Sequence, residues 1–226
     1  MSFVKRNGKS EYDRLLTRII RAYDSRIVRA YCKVRFTIIN INILHILSLC
    51  LRGKLRILEI GCGFGLFGLY FSSLFPEMSY CGYDINPKRV VMGNKAARRL
   101  GLKRVKFYCQ DARMLRIDEQ FDAVVMIDLL HHLRDDSKRS LLKMCCKHLT
   151  REGRLVIKEV TTHPFCRLAF TWALDVLMTR GFQMWYWDEI EFAAYLTDHF
   201  KRLDTFPISD WLPYSHVVYL SENMEQ

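Results

Sequence analysis

Four acids and two histidines stand where they could do chemistry. Glu59 precedes a cluster of Gly61, Cys62, Gly63 and Gly65, and Asp84, Asp111, Asp128, His131 and His132 follow in that order. Alternating glycines let a chain take positive φ and let a ligand lie directly on main-chain atoms. Glu59 is next to last in the apolar run Ile57, Leu58, Ile60, which places a carboxylate at the mouth of that turn. An acid there repels a pyrophosphate and attracts an ammonium group. The loop therefore suits a ligand with positive charge and no phosphate. Asp84 lies about 20 residues beyond the turn, where a carboxylate at the next strand's end meets a ribose diol. Its other reading is a helix cap before Asn86 and Pro87. A histidine titrating near neutrality can take a proton from a hydroxyl. His131 is the first choice for that role and His132 the second, and both could instead only pack.

These residues need a scaffold of strands, each ending where a side chain must be presented. A short apolar run, a glycine turn and an immediate helical pattern open a βαβ unit. The strands expected are the run ending at Ile60, then residues 78–84, 104–110, 121–128 and 154–159, with helices over 65–74, 86–100 and 136–149. The fourth strand is continuously apolar, as when both sheet faces are covered. Residues 201–207 and 214–220 read as a closing hairpin. A helical stretch over 163–181, the aromatic run Trp185, Tyr186 and Trp187, and a helix over 188–197 lie between. The three aromatics suit a pocket for an aromatic or acyl group or the packing beneath a loop. Gly63, Gly65 and Gly68 also fit a dinucleotide-type G-x-G-x-x-G, but that register would run the strand through Gly61.

The stretch from Glu59 to Gly65 resembles the first motif of the class I S-adenosylmethionine-dependent methyltransferases. Asp84, the pair Asp111–Ala112 and the stretch from Asp128 to Leu133 are similar to later landmarks of that family, in the same order. The resemblance covers about residues 54–160. It implies an α/β, Rossmann-like three-layer α/β/α sandwich with a seven-stranded, mostly parallel sheet, an antiparallel last strand and an N-terminal helical cap. It further implies S-adenosyl-L-methionine as cofactor. Glu59 and the backbone of Gly61, Gly63 and Gly65 would hold its methionine portion, Asp84 its ribose, and Asp111 and Ala112 its adenine, with Cys62 and Ile85 also among the cofactor-binding residues. Asp128 would sit where the methyl points. The acceptor expected is a small molecule, lipid-like, aromatic or carrier-tethered. An RNA target and a non-catalytic binding protein of the same fold are the alternatives.

A chain of 226 residues with half its residues apolar supports one sizeable domain. The net charge of +11 is uneven: residues 1–35 carry ten Lys/Arg against Glu11, Asp13 and Asp24. Residues 1–51 thus read as a basic helical cap or arm on a domain spanning 52–226, with a helical insertion at 163–199. A basic amphipathic helix suits an acidic membrane surface or an anionic partner such as an acyl carrier protein, or a solvated outer face. Nucleic acid is the less favoured partner. The eight cysteines form no C-x-x-C pair and read as reduced thiols used as small hydrophobes. No metal centre is expected. The N-terminus lacks a signal-peptide pattern. The expected location is therefore cytoplasmic, or peripheral at the inner membrane surface.

Overall fold

The computed structural model describes residues 7–115, 117–160, 184–209 and 215–222. The expected helical stretch over 163–181, and with it most of the insertion expected at 163–199, lies outside them. Three helices come first: α1 (Asn7–Arg21), α2 (Arg26–Ile38) and α3 (Ile41–Leu51). The alternating part follows as β1 (Arg56–Ile60), α4 (Leu66–Leu74), β2 (Ser79–Asp84), α5 (Pro87–Leu100), β3 (Val105–Cys109), β4 (Phe121–Ile127), α6 (Asp135–His148) and β5 (Leu149–Val160). The chain closes with α7 (Glu189–His199), β6 (Arg202–Ser209) and β7 (Ser215–Glu222).

Seven strands form one sheet in the order β3-β2-β1-β4-β5-β7-β6. All neighbours from β3 to β5 are parallel, and β7 runs antiparallel to both β5 and β6. This is the expected mostly parallel sheet with its antiparallel edge. The order reverses between β1 and β4. Right-handed crossovers then send helices to opposite faces of the sheet. Residues alternate accordingly: Ile57, Ala123, Val125 and Val156 face α1–α5, while Leu58, Ile60, Val124, Met126 and Leu155 face α6 and α7. A crevice must open at the reversal, beyond the carboxyl ends of β1 and β4.

The N-terminal helices are the expected cap, packed into the core and not held apart as an arm. Ile19, Tyr23, Cys32, Phe36, Leu44 and Leu47 are buried in the same core as α4, α5 and the sheet. Arg18 donates to the Leu100 carbonyl at 3.3 Å, and Arg99 donates to the Ala22 carbonyl and pairs with Asp24 at 2.6 Å. Charge made the segment look detachable, but its apolar stripes are what the sheet face requires. Residue 51 is therefore not a boundary between cores. A second difference is β5, which begins five residues before the expected 154. Leu149 pairs with Phe121, and after an irregularity in the register the ladder resumes at Arg154 opposite Ala123.

Candidate functional site

Local rules build the turn after β1. Gly61, Gly63 and Gly65 take φ of 79°, 55° and 76°. The Gly61 and Cys62 N–H groups both donate to the Tyr83 carbonyl, and Gly65 N–H donates to the Cys62 carbonyl at 2.8 Å. At Gly63 a Cβ would meet nothing within 4 Å, so the backbone there lies open to a ligand. At Gly65 a Cβ would lie 2.3 Å from Cζ of Phe107. Phe107, on β3, thus sets the height of the loop.

Asp84 ends β2 and clamps this turn. Its Oδ2 accepts from Gly63 N–H at 2.8 Å and its Oδ1 from Asn86 N–H at 2.9 Å. The helix cap is instead Asn86, whose side chain accepts from Lys88 and Arg89 N–H. Asp84 keeps a second lone pair on each oxygen for hydroxyl donors.

A cleft of about 630 Å³ opens above the turn. Its wall includes Gly61, Cys62, Gly63, Asp84, Ile85, Asp111, Ala112, Asp128 and His132 from the expected set. Its volume falls in the range of small-molecule sites. A glycine edge, a carboxylate clamped to it and a second carboxylate beside Ala112 fit a cationic nucleoside cofactor: backbone for the amino-acid tail, acids for hydroxyl and amino donors. Among the described residues no three His, Cys, Asp or Glu side chains gather as a metal site.

Three expected site residues sit elsewhere. Gly65 is behind the wall, capping α4. Glu59 is only 1% exposed and lies beneath the turn, not at its mouth. Burial pushes its carboxyl up to about 8, so it is mostly protonated at neutral pH. The buried Tyr80 hydroxyl faces it. His131 is also turned away. The 3-10 turn Leu130–His132 separates consecutive side chains by about a third of a revolution. His132 therefore reaches the cleft. His131 is 2% exposed, pairs through Nδ1 with Glu159 Oε2 at 2.7 Å and stacks on Tyr186. Burial would raise the Glu159 carboxyl, but His131 outweighs it and the net shift is downward. Glu159 Oε1 also accepts from Leu129 and Leu130 N–H, so this pair holds the loop after β4 in place.

Asp128 has φ of 53°, the left-handed region that Asp tolerates. Its carboxylate is shared between the wholly buried Lys158 of β5 and Arg35 of α2, the latter at 2.7 Å. Burial works against the charge, but these two cations hold it well below the usual range. Burial also lowers the Lys158 ammonium, and Asp128 only partly restores it. Asp111 is gripped by Arg113, with Nη2 to Oδ2 at 2.5 Å, and that hydrogen bond lowers its pKa. Cys62 borders the cleft with its thiol pushed well up by burial, so it supplies shape and not a nucleophile.

Sequence reasoning missed Arg35, Tyr31, Arg89 and Arg134 on the cleft wall and Lys158 and Glu159 beneath it. The adjacent Lys158 and Glu159 in an apolar strand were a readable sign of buried pairing. Nothing local marks Arg35. Of the three aromatics, Trp185 lines the cleft and donates its backbone N–H to the His131 carbonyl, while Trp187 packs on Phe192 and Tyr195.

With this geometry in place, residues 57–153 match the family described as "Methyltransferase domain". A malonyl-[acyl-carrier protein] O-methyltransferase of Bacillus anthracis is 28% identical over 115 residues, 51% of this chain and 41% of that protein. A phthiotriol/phenolphthiotriol dimycocerosates methyltransferase of Mycobacterium leprae is 36% identical over 95 residues, 41% of this chain and 34% of that protein. The chain thus spans well under half the length of these relatives. A solved magnesium protoporphyrin IX methyltransferase from Synechocystis, with bound SAH, superposes with a TM-score of 0.66 at 18% identity. It covers 98% of this chain and 96% of its own, a likeness of fold.

Proposed function

We propose that this chain, whose residues 57–153 match a methyltransferase-domain family, is a class I S-adenosylmethionine-dependent methyltransferase that moves a methyl group to a small, acyl-bearing or otherwise apolar acceptor. One observation carries the reading: a carboxylate at the end of β2 clamps an open glycine turn at the reversal of strand order. The cofactor supplies a methyl group already activated on a sulfonium. The chain's own work is to bind, orient and exclude water. Gly61 and Gly63 present backbone to the amino-acid tail, Asp84 accepts from the ribose hydroxyls, and Asp111 beside Ala112 accepts from the adenine amino group. His132 is the histidine able to take a proton from an acceptor hydroxyl in the cleft, with Arg35 and Asp128 ordering the floor beside it. The apolar acceptor is supported by Tyr31, Phe67, Leu129, Leu133 and Trp185 on the same wall. A matched relative named for a malonyl-acyl-carrier substrate supports an acyl-bearing one.

Calorimetry with S-adenosylhomocysteine tests this. Asp84→Asn keeps the volume and one acceptor oxygen but loses the charge-assisted bonds. It should weaken binding about tenfold or more, since bonds to a charged group contribute roughly 1.5–3 kcal/mol. Unchanged affinity removes Asp84 from the site. Release of S-adenosylhomocysteine with a cell extract as acceptor source separates an enzyme from a binding protein of the same fold.

A further inference from the structure

The exposed face of α2 has no role in the site described above. Val28, Cys32, Phe36 and Ile38 are its buried side. Ile27 is 82% exposed and Val34 47% exposed. Arg26 and Lys33, each beside one of them, are exposed as well. Ile27 and Val34 lie four before and three after Tyr31, so they stand in the helical rows next to it. Tyr31 and Arg35 line the cleft. The apolar stripe therefore borders the cleft's mouth.

The occupant can be argued from charge and length. On this face the charge comes from Arg26 and Lys33, since Arg29 donates to the Tyr23 carbonyl at 2.6 Å and Arg35 pairs with Asp128, and residues 26–51 contain no Asp or Glu to offset it. Two apolar side chains flanked by cations, on a helix of low net hydrophobicity, are what an anionic lipid surface takes. An acidic protein partner would need its own apolar patch in register with Ile27 and Val34, whereas a bilayer offers its apolar phase along the whole face. Among the described residues no single helix is long and apolar enough to cross a membrane, and α2 and α3 meet at a bend of 81°. At 13 residues α2 is about 20 Å long, short of a hydrocarbon core of about 30 Å. The geometry suits lying on a bilayer.

We propose that the face of α2 carrying Arg26, Ile27, Lys33 and Val34 docks on an anionic bilayer surface and sets the cleft's mouth against it. The surface itself does not depend on the methyltransferase reading. Only the corollary, that the acceptor is taken from the bilayer, rests on it.

The test is flotation of the full chain with vesicles of pure phosphatidylcholine and of phosphatidylcholine with roughly 30% phosphatidylglycerol. Binding to the second and not the first is expected, and it should weaken as salt rises. Reversing the cations with Arg26→Glu and Lys33→Glu should weaken it at least about fivefold per residue. Ile27→Asp with Val34→Asp should cost about tenfold or more. Thermal unfolding, measured alongside, should be cooperative with the parent's midpoint in both double variants and shows that they are folded, and S-adenosylhomocysteine binding should be unchanged in both. Failure of the full chain to float with anionic vesicles overturns the proposal, as does unaltered flotation of the folded variants. Loss of vesicle binding with cofactor-product binding intact leaves the catalytic reading untouched, so the two can fail separately.

Discussion

Glu59 shows how one residue changes meaning with depth. At the surface a glutamate beside the turn is a counter-charge for an ammonium group. Buried under the turn, with Tyr80 facing it, the same side chain is a neutral acid through much of the physiological range. A carboxyl whose folded pKa is about 8, against an ordinary 4.5, binds more protons folded than unfolded between those values. Stability must then fall as pH rises through that window. Glu59→Gln removes the titration. Relative to the parent chain the variant should gain stability as pH goes from about 5 to about 8, read from urea unfolding at each pH. A constant difference would mean that Glu59 is ionised throughout. His131 and His132 make the same point in another way. Neighbours in sequence, they face a buried carboxylate and an open cleft respectively.

The glycine turn is the element on which the site depends, and its three left-handed residues are not equivalent. At Gly63 an alanine meets no neighbour, so the cost is the left-handed conformation alone, about 1–2 kcal/mol. At Gly65 an alanine has the same conformational penalty and also drives into the Phe107 ring. Gly65→Ala should therefore be the more destabilising by at least about 1 kcal/mol, overpacking of a tight core being worth roughly 1–3. Gly65→Ala combined with Phe107→Leu should recover part of that loss. Thermal unfolding of the three variants measures it, and equal costs at 63 and 65 would show that Phe107 does not set the loop's height. The loop after β4 is held differently, through Glu159 bonding Leu129 and Leu130 N–H.

For the whole molecule the consequence is in how the ends are used. α1 and α2 bury Ile19, Tyr23, Cys32 and Phe36 against α4 and the sheet, and α2 also supplies Arg35 to Asp128. A chain beginning near residue 39 would expose that apolar face and leave Asp128 with Lys158 alone. Such a truncation should lose cooperative unfolding and bind a hydrophobic dye, a result that a detachable basic arm would not give. A truncated chain that unfolds with the parent's midpoint would restore the arm. The antiparallel pair β6 and β7 closes the other edge, where β7 pairs along β5 from Arg154 to Val160.

What the amino-acid sequence determined alone is whatever short-range rules control. Apolar runs ending at Ile60, Asp84 and Ile127 set the strands, and glycines at 61, 63 and 65 set the turn. Asn86 before Pro87 and Gly101 after Leu100 set the limits of α5. These signals lie within one turn or one strand, and a side chain's identity suffices to read them. The mostly parallel seven-stranded sheet was legible only through the family resemblance, and its strand order came from the tertiary structure. Tertiary structure alone decided which groups face one another. The depth of Glu59, the choice of His132 over His131 for the cleft, and the meeting of Arg35, Asp128 and Lys158 all depend on long-range packing. The cause is the same in each case: burial and electrostatic partnership are set by residues distant in the chain. Charge, the most visible feature of residues 1–35, misled because it lies on the outside of helices whose other faces belong to the core.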